Sequence, residues 1–66
     1  MTINVNNQPH SVSESITLTE VVAQLNIISA GIAIAINNEI ISKDRWNATN
    51  LKEQDQVIII KATQGG

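Results

Sequence analysis

Thr17-Leu18-Thr19-Glu20-Val21-Val22-Ala23-Gln24-Leu25 is the stretch that decides the fold, because it contains a complete start signal for a helix. Thr17 and Glu20 have the spacing of a capping box, in which each side chain accepts a hydrogen bond from the backbone N–H of the other residue. Ile16 and Val21 fall at the two positions of a hydrophobic staple. The apolar residues recur at i, i+3, i+4 and i+7 and define one buried stripe: Leu18, Val21, Val22 and Leu25.

The chain before this helix is predicted to form a β-hairpin. Ile3 and Val5 alternate with polar residues, which is typical of a strand with one buried face. The run Asn6-Asn7-Gln8-Pro9 predicts a loop of about four residues, since these residue types favour turns. The return strand is expected over His10 to Ser13, with Val12 facing inward.

The chain after the helix contains the clearest strand pattern, Ile32-Ala33-Ile34-Ala35-Ile36, which alternates large and small side chains with period two. Asn37-Asn38 predicts a turn, because Asn tolerates positive φ, and Glu39-Ile40-Ile41 predicts a short returning strand. Ser42 to Trp46 is expected to form a helical turn capped by Ser42. After a polar connection, Val57-Ile58-Ile59-Ile60 has the continuous apolar character of a central strand.

Size and composition support a single sheet-rich domain that spans residues 1–66. Chains of about this size cannot support two cores. Twelve Ile, five Val and five Thr make a third of the 66 residues β-branched, which favours strands. The order β, β, α, β, β, helical turn, β predicts an α+β fold with four to five strands, in which the one long helix covers one face of the sheet.

Several classes of function are disfavoured by composition. A net charge of −2 without a basic cluster argues against nucleic acid as a partner. The absence of Cys excludes thiol chemistry, and the single His10 and scattered carboxylates show no metal-ligand spacing. No secretory signal and no apolar run of roughly 18 residues is present, so we expect a soluble, cytoplasmic protein that does not use the membrane as a partner.

The remaining candidate for chemistry is the end of the chain, Gly65-Gly66. A terminal carboxylate is a poor electrophile, so a partner enzyme must activate it, for instance as an acyl adenylate. Glycine suits this use because a backbone without Cβ can pass through a narrow channel. We expect a flexible tail over about residues 62–66. From the two glycines alone, a reactive tail and a frayed end are equally favoured.

The whole chain resembles the β-grasp sulfur carriers related to ubiquitin, and among them the ThiS family of thiamine biosynthesis. The matching features are the capped helix, Ala30-Gly31-Ile32-Ala33-Ile34-Ala35-Ile36-Asn37, the segment Ser42 to Trp46, Asp55 before the last strand, and Gly65-Gly66. The resemblance implies a ubiquitin-like β-grasp with a mixed sheet. Gln54 stands where the family often has Gly, which puts the turn before Asp55 in doubt. Gln64 stands where the family often has a small or apolar residue, which puts the fit to a particular adenylating enzyme in doubt.

The resemblance also implies a reaction cycle for Gly66. A ubiquitin-activating-like adenylating enzyme would use ATP to activate its carboxylate, and a donor system of the cysteine desulfurase type would supply sulfur to give a thiocarboxylate. Thiazole synthase would then accept the sulfur. The chain itself would bind no cofactor and act as a protein co-substrate, with the catalytic residues in its partners and with Gly65 and Gln64 recognised as part of the tail.

The last strand is expected to supply the surface on which these partners dock. If Val57 and Ile59 face the helix, then Ile58 and Ile60 lie on the opposite face, where an uncovered apolar patch would bind a partner. Ordinary strand packing of Ile58 and Ile60 is the alternative.

Three other functions stay open: a carrier of another pathway such as the small subunit of molybdopterin synthase, a ubiquitin-like modifier, and a non-carrier interaction module. We expect a monomer that forms hetero-complexes.

Overall fold

The computed structural model describes residues 1–28 and 30–61, which form one mixed sheet, one α-helix and one 3₁₀ helix. The strand order is β2-β1-β5-β3-β4, with β1 and β5 parallel and the other neighbours antiparallel. The predicted α+β fold is confirmed. The elements are β1 Thr2–Val5, β2 Gln8–Ser11, α1 Leu18–Gln24, β3 Ile32–Ile36, β4 Glu39–Ile41, the 3₁₀ helix Lys43–Ala48 and β5 Gln56–Lys61.

Helix α1 begins as the sequence predicts. The Glu20 backbone N–H donates to Thr17 Oγ1 at 3.2 Å, and the Thr17 N–H donates to Glu20 Oε1 at 2.9 Å, which completes the capping box. The staple residues Ile16 and Val21 are both buried. Leu18 is fully buried and packs with them, so the predicted stripe is the face that α1 turns toward the sheet.

The first hairpin is tighter than predicted. Its turn contains only Asn6 and Asn7, with φ of 50° and 69°, and β2 already begins at Gln8. The predicted four-residue loop and the strand bounds 10–13 were therefore wrong. Pro9 is tolerated inside β2 because this is an edge strand and Pro9 lies opposite Asn4, one step beyond the pair closed by the turn, where its nitrogen points away from β1. Val12 follows β2 and packs against the core.

The second hairpin and the segment that follows it match the sequence more closely. Asn37 and Asn38 form the turn, with φ of 50° and 72°. The predicted helical turn is present as the 3₁₀ helix, although the Ser42 side chain makes no capping hydrogen bond, contrary to prediction. Trp46 is buried, and its indole Nε1 donates to the Ile41 carbonyl at 3.0 Å, which ties this helix to β4.

The core fills the space between one face of the sheet and the two helices. It contains no buried polar or charged residue among those described. Its buried members are Ile3, Val5, Ile16, Leu18, Val21, Val22, Ile34, Trp46, Leu51, Val57 and Ile59. Because these residues come from one face of each strand, the other face of the sheet remains open, and this arrangement positions the candidate site.

Candidate functional site: the open face of the sheet and the end of β5

Strand β5 lies at the centre of the sheet, between β1 and β3, and it is the last element of the described chain. Val57 and Ile59 are buried in the core, whereas Ile58 is half-buried and Ile60 is 55% exposed. The predicted division of β5 is therefore confirmed: Ile58 and Ile60 lie together on the face opposite the helix.

The pairing register extends the apolar surface beyond β5. Residues directly opposite each other on neighbouring strands share a face. Ile60 lies opposite Ala33, and Ile58 lies opposite Ala35. Ala35 in turn lies opposite Ile40, which is 74% exposed. We call these five residues the open-face patch: Ala33, Ala35, Ile40, Ile58 and Ile60.

The open-face patch ends on the β1 side, where the same face becomes polar but stays uncharged. Gln56 lies opposite Asn4, and Asn4 lies opposite Pro9 on the edge strand. Gln56 and Pro9 are exposed, and Asn4 is half-buried. The open face is thus divided into an apolar half on β3, β4 and β5 and a neutral polar half on β1 and β2.

The Asn6 side chain holds β5 in place after β1 has ended. The Ile59 N–H donates to Asn6 Oδ1 at 2.8 Å, and Asn6 Nδ2 donates to the Ile59 carbonyl at 3.3 Å. The Asn6 backbone N–H also donates to the Val57 carbonyl at 2.8 Å. The amide therefore continues the hydrogen bonding of β1 to β5 and fixes the backbone between Ile58 and Ile60. Sequence reasoning assigned Asn6 only to a turn.

Asn37 and Asp55 secure the start of β5. The Gln56 N–H donates to Asn37 Oδ1 at 3.0 Å, and Asn37 Nδ2 donates to Asp55 Oδ1 at 3.1 Å. The second carboxylate oxygen, Asp55 Oδ2, accepts from the Lys52 N–H at 2.8 Å. Both residues were among the features on which the family resemblance rested, and the structure gives them a positioning role that the sequence alone did not reveal.

The predicted reactive tail lies outside the described residues. Gln64, Gly65 and Gly66 belong to residues 62–66, of which the structure describes nothing. The last described residue, Lys61, is exposed and lies opposite Ile32. Five residues follow it, and a chain of that length reaches at most roughly 17 Å at about 3.3 to 3.6 Å per residue.

The other titratable residues form no competing site. His10 is half-buried on the helix side of the sheet, opposite Ile3, and lines a small cavity with Val21, Gln24 and Leu25. Among residues 1–28 and 30–61, no group of three or more His, Asp or Glu side chains is placed to hold a metal ion. In the same part of the chain, no helix is long and apolar enough to cross a membrane.

A mixed five-stranded sheet that packs one face against a single main helix, with β1 and β5 parallel at its centre, defines the ubiquitin-like β-grasp class of protein. Comparison with known proteins narrows this class. The ThiS family model matches residues 2–66, and the chain belongs to the ThiS family.

Two curated relatives and two solved structures resemble the chain over its whole length. The sulfur carrier protein ThiS of Escherichia coli K12 is 30% identical over all of both chains. The uncharacterized protein ycf40 of Porphyra purpurea is 32% identical over all of this chain and 93% of its own. The crystal structure of the thiamine biosynthesis protein ThiS from Geobacter metallireducens is 29% identical with a TM-score of 0.86, over all of both chains. A solution structure of a thiamine biosynthesis protein from that organism gives a TM-score of 0.79 and covers all of this chain and 88% of that one.

Proposed function

We propose that this protein is a sulfur carrier of thiamine biosynthesis and that Gly66 is the residue that carries the sulfur. The observation that carries this proposal is the match to the ThiS family over residues 2–66, which reaches the terminal glycine itself. The E. coli relative, a sulfur carrier protein by name, aligns with this chain over all of both sequences. The fold supports the same function, because residues 62–66 follow the central strand β5 directly in the sequence.

The chemistry begins with activation of the Gly66 carboxylate by a partner enzyme. A carboxylate oxygen attacks the α-phosphorus of ATP, pyrophosphate leaves, and an acyl adenylate forms. The outer sulfur of a persulfide on a donor of the cysteine desulfurase type then forms a C–S bond as the C–O bond to AMP breaks, which gives an acyl disulfide. A second thiol, the reductant, attacks the donor's sulfur, so that the S–S bond breaks and a disulfide forms between donor and thiol. AMP departs with that oxygen, and the chain ends in a thiocarboxylate that thiazole synthase accepts as its sulfur source.

In this proposal the chain is a protein co-substrate, and its partners supply catalysis and ATP binding. The adenylating enzyme resembles the ubiquitin-activating enzymes and receives the tail in a narrow channel, where Gly65 and Gln64 are recognised on the way to the reacting carboxylate. Gly65 suits such a channel because it has no side chain to clash with the walls. We include a cytoplasmic location in the proposal, because adenylation requires a supply of ATP.

Docking of the adenylating enzyme is proposed on the open-face patch. Contiguous exposed apolar surface of this kind marks interaction sites in soluble proteins. Ile60 stands next to Lys61, so an enzyme seated on Ile58 and Ile60 is within reach of the tail. The hydrogen bonds that the Ile59 and Gln56 N–H groups donate to Asn6 and Asn37 hold β5 in place, which lowers the entropy that binding costs.

Mass spectrometry of the intact protein tests the proposed function. After incubation with ATP, the cognate adenylating enzyme and a sulfur source, we expect a mass increase equal to the replacement of one oxygen by sulfur, located at Gly66. Deletion of Gly66 should abolish this product and the formation of thiazole in a reconstituted reaction. Gln8→Ala, on the exposed edge strand β2, is the control and should form the thiocarboxylate normally. Thiazole formation that survives the loss of Gly66 would contradict the proposal.

A further inference from the structure

The connection between α1 and β3 carries exposed apolar surface that the core does not use. Ile28 is 79% exposed, the largest exposed fraction among the exposed large hydrophobic side chains of the described residues. Ala30 and Gly31 beside it are also exposed. The sequence contains no charged residue from Val21 to Asn38, so this connection carries no charge. Isolated surface isoleucines are ordinary, and the position of Ile28 is therefore what matters.

This connection joins β3 at the end of the sheet where β5 ends. Gly31 turns the backbone with a φ of 73°, and β3 begins at Ile32, directly opposite Lys61. The next pair along the strands joins Ala33 and Ile60, both exposed. Ile28 lies four residues before Ile32, so their Cα atoms are at most roughly 14 Å apart. Ile28, Ala30, Ala33 and Ile60 are therefore uncharged, exposed residues near this end of the sheet, and we call them the exit-end strip.

The length of the tail limits where its partner can stand. The five residues after Lys61 span at most roughly 17 Å, so an enzyme that holds the Gly66 carboxylate must approach within that distance of Lys61. Since β5 ends at Lys61, such an enzyme stands near the end of the sheet that carries the exit-end strip. Ile40, at the opposite border of the open-face patch next to the Asn37-Asn38 turn, lies farther from the end of β5 than Ile60 does.

We propose that Ile28, supported by Ala30, is a second binding contact for the adenylating enzyme, separate from Ile58 and Ile60 on β5. This inference rests on the proposed function and names the surface by which the enzyme holds the carrier while the tail is in its active site. The matching surface on the enzyme is an apolar pocket for Ile28, with an acidic rim facing Lys61, the one charged residue of β5. Burial of an aliphatic side chain in such a pocket strengthens binding without taking part in the reaction.

The test is the steady-state kinetics of adenylation with the concentration of carrier varied. Replacement of the isoleucine in Ile28→Gln should raise KM for the carrier roughly tenfold, because an aliphatic side chain no longer enters its pocket. The kcat should change by less than about twofold, since the contact binds ground state and transition state equally. Ile28→Leu, which keeps the aliphatic volume, should restore a KM close to that of the wild type.

A control variant and a folding measurement separate this contact from general effects. Ala48→Gln introduces the same side chain at the exposed last residue of the 3₁₀ helix. Ala48 adjoins Thr49, whose carbonyl accepts from the Leu18 N–H at the start of α1, the end opposite the connection to β3. Its KM should stay within about twofold of the wild type, because it lies away from the exit-end strip. Thermal unfolding of Ile28→Gln should match the wild type, because the replaced side chain is exposed.

The outcomes distinguish this inference from the function on which it rests. An unchanged KM for Ile28→Gln with normal adenylation of the wild type would overturn the second contact and leave the sulfur-carrier function intact. An equal rise in KM for Ala48→Gln would also overturn the second contact, since the effect would then not depend on the position of the substituted residue. If the wild-type chain were not adenylated at all, the proposed function and this inference would both fall.

Discussion

At the scale of single residues, asparagine shapes the sharp corners of this chain. Seven described residues other than glycine have positive φ, where a Cβ crowds the backbone and only Asn and Asp are well tolerated. Five of them are asparagines: Asn6, Asn7, Asn26, Asn37 and Asn38. Gln54 is an exception with φ of 69°, and it occupies the turn where the family resemblance leads one to expect glycine. The departure seen in the sequence is thus a site of backbone strain.

The variant Gln54→Gly should raise the free energy of unfolding by about 1 kcal/mol, since relief of the left-handed conformation outweighs the greater freedom of glycine in the unfolded chain. The hydrogen bond from the backbone N–H of residue 54 to the Thr2 carbonyl is retained, and only an exposed bond to Glu53 is lost. Urea denaturation measures the change. Lys52→Gly, at a neighbouring exposed residue without positive φ, is the control and should lower stability by about 0.5–1 kcal/mol. A loss of stability in both variants would contradict the strain at Gln54.

At the scale of elements, the stability of helix α1 depends more on the contacts at its N-terminus than on its length. It contains only seven residues, and isolated helices shorter than roughly 12 residues are marginal in water. The capping box and the buried stripe therefore have to supply its stability. The Leu18 N–H, which would otherwise lack a partner at the helix start, donates to the Thr49 carbonyl at 3.1 Å. The sequence indicated the box because its signal is local, whereas the contact with Thr49 joins distant segments.

Loss of the cap should weaken the whole domain. We expect Thr17→Ala to lower the free energy of unfolding by about 1 kcal/mol, which corresponds to a fall in Tm of roughly 4–8 °C for a domain of this size. Circular dichroism during heating measures both values. Thr19→Ala, on the exposed side of the same helix, is the matched control and should be neutral or slightly stabilising, because Ala favours helices. Equal destabilisation by the two substitutions would show that the cap is not the cause.

At the scale of the whole molecule, local sequence patterns predicted the helices and strands. Pairing between distant strands determines which residues lie together in the candidate site. Period-two alternation predicted which residues of β5 face outward, because that property belongs to the strand alone. Pro9 led to an error: a proline is typical of turns, and its tolerance in β2 follows from the position of that strand at the edge of the sheet. The cross-strand neighbours of Ile58 and Ile60 are Ala35 and Ala33. They follow from the pairing register of β5 with β3, which the pattern within one strand does not predict.

The positioning residues of the site escaped prediction for the same reason. Asn6 and Ile59 are 53 residues apart in sequence, and Asn37 lies 18 residues from Asp55. An asparagine at the end of an alternating strand signals a turn, and nothing in the local pattern shows that its side chain also binds a distant strand. The family resemblance drew attention to Asn37 and Asp55 as features, and the hydrogen bonds show that both residues secure the start of β5.

Docking on the open-face patch predicts a large effect for Ile60→Glu. A carboxylate beside Ala33 removes apolar surface and places a charge where the adenylating enzyme would exclude water, so kcat/KM for adenylation should fall by roughly 10- to 100-fold. The domain should remain folded, because Ile60 is 55% exposed and lies outside the core. Circular dichroism checks the fold, and the rate of adenylate formation at subsaturating carrier measures the effect.

Gln56→Glu is the matched control for this prediction, because it places the same carboxylate on the same face of β5 but in the polar half, opposite Asn4. If the enzyme binds only the apolar half, the control should keep at least about half of the wild-type kcat/KM, since a charge at a solvated rim mainly alters the association rate. Comparable losses in both variants would indicate a general response to negative charge. Unchanged kinetics for Ile60→Glu would leave ordinary strand packing as the role of Ile58 and Ile60, and docking would then have to take place on another surface within reach of the tail.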